Sequence, residues 1–123
     1  MKRILINGFF AGVALLAVPS VFAQEKAETD KKDIQQIITL ARELHSATGR
    51  VLIHCEAGVS RSSAAALIMY ACWLGPGRER EAMTRVLAQR PIALPNRRMV
   101  EIADKLLDRK GRLVEVLYER EPW

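Results

Sequence analysis

The sequence predicts an α/β domain, a short parallel sheet with helices packed around one strand–loop–helix unit. Three observations lead there. An apolar run, Val51-Leu52-Ile53, passes through His54 and Cys55 into a glycine-bearing loop and then into an apolar stretch from Ala64 to Leu74. A strand feeding a helix through such a loop is the building unit of α/β folds. Three further stretches, beginning near Asp33, Arg78 and Arg97, repeat apolar residues at helical spacing. The 123 residues are 50% apolar and 27% charged, a globular balance that fits one domain at most.

The first 23 residues have the anatomy of a secretory signal peptide. Met1-Lys2-Arg3 is a short positive start, Ile4 to Val18 an apolar run, and Pro19-Ser20 a break before Val21-Phe22-Ala23, which predicts cleavage after Ala23. The run is shorter than the ~20 residues a spanning helix needs, so no stable membrane span is expected after cleavage. In a bacterial host the product would be periplasmic or secreted. An uncleaved membrane anchor is one alternative. Another is a buried first strand and helix of the domain, against which the abrupt polar change at Gln24-Glu25-Lys26 speaks.

Residues 24–32 read as a flexible, charged lead-in, and residues 33–123 as the domain itself. Asp33 is placed to cap a helix whose inward face is Ile34, Ile37, Ile38, Ala41 and Leu44, ended by Thr48-Gly49. Arg50 to His54 follows as a strand, apolar without alternation, as in a strand buried on both faces. The helix from Arg61 to about Trp73 is apolar nearly all round and is expected at the centre. Gly75-Pro76-Gly77 is a turn. A helix from Arg78 to Gln89 would bury Ala82, Met83, Val86 and Leu87. Another, from Arg97 to about Arg109, would bury Met99, Val100, Ala103, Leu106 and Leu107 and stop at Gly111. Leu113 to Tyr118 fits either a short helix or an edge strand.

The net charge of +5 is spread along the chain with few aromatics between, which predicts a solvated positive surface and no nucleic-acid partner. Of the two cysteines, Cys72 lies near the far end of the helix that begins by Arg61. At about 1.5 Å per helical residue it is out of bridging range of Cys55, and packs as a small apolar group. Two His and two Cys without ligand spacing imply no metal, and no cofactor is expected.

The chemistry concentrates between Cys55 and Ser62. A loop between a strand and a helix N-terminus gathers backbone N–H groups into an anion site, here Glu56-Ala57-Gly58-Val59-Ser60 with Arg61. Gly58 allows the tight turn. The same N–H groups and helix dipole would stabilise a Cys55 thiolate, and Arg61 offers a planar fork for two phosphate oxygens.

His54-Cys55-Glu56-Ala57-Gly58-Val59-Ser60-Arg61-Ser62 resembles the signature loop of the cysteine-dependent protein tyrosine phosphatase superfamily, in its compact dual-specificity branch. Arg90-Pro91-Ile92-Ala93-Leu94-Pro95-Asn96 resembles the Arg-Pro…Pro-Asn segment that follows the loop in that branch. The resemblance covers about residues 33–111. It implies a phosphatase-like fold in which Cys55 is the nucleophile, Arg61 holds the equatorial oxygens, and Ser62 assists departure of the sulfur. It further implies that His54 orients the loop and that Asn96 braces it; from the residues alone, Asn96 reads equally as a turn residue and helix N-cap. The substrate implied is a phosphorylated protein or small phosphomonoester of phosphotyrosine type. Inositol polyphosphates are an alternative, because the loop is also similar to that of secreted bacterial inositol-polyphosphate phosphatases.

The chain departs from that pattern in two ways. The family's upstream strands are not evident, and its general-acid aspartate has no counterpart at the usual distance. Asp30 and Asp33 precede Cys55 in the mature chain, and both read as helix-start residues. Beside the minimal phosphatase stand a phosphate-binding pseudophosphatase without turnover and a truncated phosphatase fragment.

Overall fold

In the computed structural model, residues 3–7 and 26–119 are described. The chain is mixed α/β and mostly helical. In order, the elements are β1 (Arg3–Asn7), α1 (Lys26–Glu43), β2 (Arg50–His54), α2 (Arg61–Leu74), α3 (Glu79–Gln89), α4 (Arg97–Leu106) and α5 (Arg112–Glu115).

Helix α2 is the axis of the molecule. Its residues Ser62 to Ala71 are all buried, as a helix apolar on every side must be. α1, α3, α4 and both strands pack against it. Ile34, Ile37, Ile38 and Ala41 from α1, Ala82, Met83 and Val86 from α3, and Val100 and Ala103 from α4 close one continuous core around it. Trp73 Nε1 donates to the Ala41 carbonyl at 2.7 Å, fixing the last turn of α2 on α1.

β1 and β2 pair in parallel, with Ile4 opposite Val51 and Ile6 opposite Ile53. Alternate residues share a face, and Ile4, Ile6 and Ile53 all enter the core while Leu52 is 40% exposed. The sheet is therefore covered on one face at this point, not on both as the unbroken apolar run of β2 suggests. One strand, β1, does precede β2 in the sheet. Its apolar run was legible, but the same residues also satisfy the start of a leader. The remainder of residues 1–23, with the expected cleavage point after Ala23, lies outside the described residues.

Two further boundaries differ from expectation. Helix α1 begins at Lys26, so the charged stretch expected as a flexible lead-in is largely its first turns, and Asp33 lies inside the helix instead of capping it. No proline or glycine between Lys26 and Asp33 breaks it, and Asp30 is anchored by Arg98 Nε at 2.6 Å. At the other end, α4 stops at Leu106, short of Arg109. The Arg109 guanidinium turns inward to Glu79 Oε1 at 2.9 Å and to the Ala71 and Gly75 carbonyls, and Asp108 takes a positive φ. Leu113 to Tyr118 resolves as the short helix α5 and a turn. Among the described residues no helix is long and apolar enough to cross a membrane.

Candidate active site

Cys55 follows the last residue of β2, and its loop ends where α2 begins. The loop turns at Gly58, which is buried with φ of 68°, a conformation that only glycine adopts without penalty. That turn brings the Gly58 N–H back to Cys55 Sγ at 3.2 Å. Ser62, fully enclosed in the first turn of α2, places its hydroxyl 3.3 Å from the same sulfur.

Burial alone would push the thiol up. The Ser62 hydroxyl and the backbone N–H groups of Ser62, Gly58 and Ala57 outweigh it, and the Cys55 pKa falls from 9.0 to about 7. Hydrogen-bond donors thus favour the charged form of the sulfur, leaving it about half thiolate at neutral pH. Cys72 behaves in the opposite way: burial raises its pKa against the fields of Arg109 and Arg42. Both cysteines are free.

The loop is held from behind by distant chain. Leu94 N donates to the Val59 carbonyl at 2.8 Å, and Asn96 N donates to the Ser60 carbonyl at 3.1 Å. The Asn96 side chain accepts from Met99 N at 3.1 Å and caps α4. The Asn96 side chain thus starts the helix, and the tie to the loop is made by its backbone N–H. Arg90 reaches the Ala57 carbonyl at 3.4 Å. Within the loop, the Ser63 hydroxyl donates to the carbonyls of Val59 and Ser60. These backbone ties through Leu94 and Asn96 are not visible as a residue type; only the Pro–Asn spacing points to them.

Glu56 and Ala57 are exposed, whereas Val59 and Ser60 are half-buried. Arg61 opens α2 with its side chain 47% exposed, and its guanidinium lies 3.9 Å from Glu56 Oε2. Loop, thiol, hydroxyl and guanidinium are thus brought to one end of β2, with the cation at the solvent side. His54 is buried at the end of the strand.

The candidate acids sit on α1. Asp30 is engaged with Arg98 at 2.6 Å. Asp33 has a buried Oδ2 without a hydrogen-bond partner. Burial, and then the negative charge of Asp30, raise its pKa. Neither is hydrogen-bonded to the loop. Among the described residues no group of three or more His, Cys, Asp or Glu could hold a metal ion. No family model, curated protein or solved structure matches the chain.

Proposed function

We propose that the chain is a phosphatase of the cysteine-dependent tyrosine phosphatase type, acting on phosphomonoesters of phosphotyrosine type, and placed in the periplasm or outside the cell by its leader. The observation that carries this reading is the Cys55 sulfur, held by Gly58 N–H and the Ser62 hydroxyl with a pKa of about 7.

In the first step Cys55 Sγ attacks phosphorus. An S–P bond forms, the ester P–O bond breaks, and the leaving oxygen takes its proton from water when it is a good leaving group. Arg61, swung from Glu56 onto the equatorial oxygens, neutralises charge in the transition state. In the second step water attacks the phosphorus of the cysteinyl phosphate. The S–P bond breaks and sulfur departs as thiolate, accepting a hydrogen bond from the Ser62 O–H, while the two protons of the water leave with inorganic phosphate.

The test is hydrolysis of an activated aryl phosphate by residues 1–123 under reducing conditions, beside Cys55→Ser and Arg61→Ala. Turnover by the parent, its abolition in Cys55→Ser, and a fall of roughly 10²–10³ in Arg61→Ala support the proposal. A folded parent as silent as Cys55→Ser sinks it. A second reading, a phosphate-binding module without turnover, is favoured by the engagement of Asp30 with Arg98, which leaves that carboxylate committed elsewhere. It predicts saturable binding of inorganic phosphate with no hydrolysis.

A further inference from the structure

Ser63 lies one residue beyond the signature, in the first turn of α2, and is fully buried. Its hydroxyl donates to the Val59 carbonyl and, at 3.0 Å, to the Ser60 carbonyl. The first ladder bond of α2 runs from Ala64 N to the Ser60 carbonyl at 3.0 Å. The Val59 carbonyl therefore stands ahead of the helix, and Ser63 reaches it from within. The returning segment meets the same two carbonyls through Leu94 N and Asn96 N.

A trans peptide unit is planar, so its N–H points opposite to its C=O. Holding the Val59 carbonyl fixes the Ser60 N–H, and holding the Ser60 carbonyl fixes the Arg61 N–H. The same coupling operates earlier in the loop. Arg90 holds the Ala57 carbonyl at 3.4 Å, and the Gly58 N–H of that unit is turned onto Cys55 Sγ at 3.2 Å. Two sets of donors emerge. The sulfur draws on the N–H groups of Ala57, Gly58 and Ser62, none of which belongs to a unit whose carbonyl Ser63 holds. The Ser60 and Arg61 N–H groups lie outside that set, next to the Ser62 N–H at the positive end of α2, where an anion is favoured.

We propose that Ser63 is a positioning residue: it aims the Ser60 and Arg61 N–H groups at the oxygens of a bound phosphate monoester and leaves the sulfur's own donors untouched. The anion role rests on the phosphatase reading and deepens it, by dividing the loop between nucleophile and phosphate. Losing the hydroxyl strands no carbonyl, because Val59 keeps Leu94 N, and Ser60 keeps Ala64 N and Asn96 N. Alanine is also the better helix former, so Ser63→Ala should fold.

The experiment compares 1–123 with Ser63→Ala and Ser63→Thr under reducing conditions. Inorganic phosphate is titrated against the rate of Cys55 alkylation at pH 7, since bound phosphate shields the sulfur, and the half-protecting concentration reads the affinity. The pH midpoint of alkylation without phosphate, the melting temperature, and kcat and KM for an activated aryl phosphate are measured beside it.

In Ser63→Ala the half-protecting concentration should rise about five-fold, the order of one lost hydrogen bond. The value of kcat/KM should fall at least as far, with the alkylation midpoint unmoved. Ser63→Thr, which keeps the hydroxyl, should return both toward the parent. Protection in Ser63→Ala equal to the parent's overturns the proposal. So does a loss of protection with an upward shift of the midpoint, which makes Ser63 a prop for the whole loop, and so does a Ser63→Thr that melts with the parent yet behaves as Ser63→Ala. A parent protected by phosphate but without turnover removes the phosphatase reading and leaves the positioning role standing. A parent that phosphate does not protect removes the positioning role, whether or not it turns over.

Discussion

Cys55 draws its acidity from donors, not from a neighbouring base. The Ser62 hydroxyl and the N–H groups of Ser62, Gly58 and Ala57 lower its pKa to about 7 against the effect of burial. Its reactivity toward a neutral alkylating agent should therefore rise about ten-fold per pH unit below that value and level off above it, because only the thiolate reacts. Ser62→Ala should move this midpoint upward, and in hydrolysis should make the cysteinyl phosphate accumulate; an unmoved midpoint would deny the hydroxyl its role. The same thiolate is open to oxidation. Peroxide should silence hydrolysis and a thiol reductant restore it, and rates indifferent to both would count against an accessible, reactive Cys55. At this scale the sequence was most legible: cysteine, glycine, arginine and serine each had a reason to stand at their spacing. The orientation of Arg61 toward Glu56 was not legible, since spacing says nothing about which of several partners an exposed guanidinium takes.

Among the elements, the link from α4 to α5 depends on one carboxylate. Asp104, 5% exposed, accepts the N–H groups of Gly111, Leu113 and Val114 and so caps α5 from the preceding helix. Asp104→Ala should cost about 3 kcal/mol by leaving buried donors unpaired, and Asp104→Asn roughly half that because one acceptor oxygen remains. Urea midpoints of the three chains check this, and equal losses in both variants would refute the capping account. Periodicity located the cores of α1 to α4 to within a few residues, because a 3.6-residue period is a property of each segment by itself, and an unbroken apolar run located β2. The early start of α1, the early stop of α4 and the choice of helix at Leu113 were hidden. Each depends on a side-chain partner outside its own segment: Arg98 for Asp30, Glu79 for Arg109 and Asp104 for the turn before α5.

Across the whole molecule, the end of α2, the start of α3 and the turn after α4 are pinned together by the Glu79–Arg109 pair, each side chain 5% exposed. Burial would raise the Glu79 carboxyl, but the Arg109 guanidinium and the N–H groups of Glu79 and Gly77 hold it below 4.5. A carboxylate depressed in the folded state stabilises above its unfolded pKa and loses that contribution as pH falls through its folded value. The melting temperature should thus be insensitive to pH near neutrality and fall as pH drops below 4.5. Glu79→Gln should flatten that fall and cost about 3–5 kcal/mol at neutral pH; a variant as stable as the parent would show the pair to be dispensable. The pairing of β1 with β2 belongs to the same scale; a buried first strand was legible there as an alternative to a leader, but the polar change at Gln24-Glu25-Lys26 spoke against it, and the partner strand lies more than forty residues away.

The ties from Leu94 and Asn96 to Val59 and Ser60 also have a consequence in time. Contacts between chain segments far apart in sequence form slowly, because loop closure must come first. The helices can assemble from local contacts, whereas the Cys55 loop is tied down only when the segment after α3 returns to it. On refolding from urea, far-UV ellipticity should recover before Cys55 regains its rapid alkylation, and a chain stopped before Leu94 would carry Cys55 to Ser62 yet lack both ties, so its Cys55 should alkylate more slowly at pH 7.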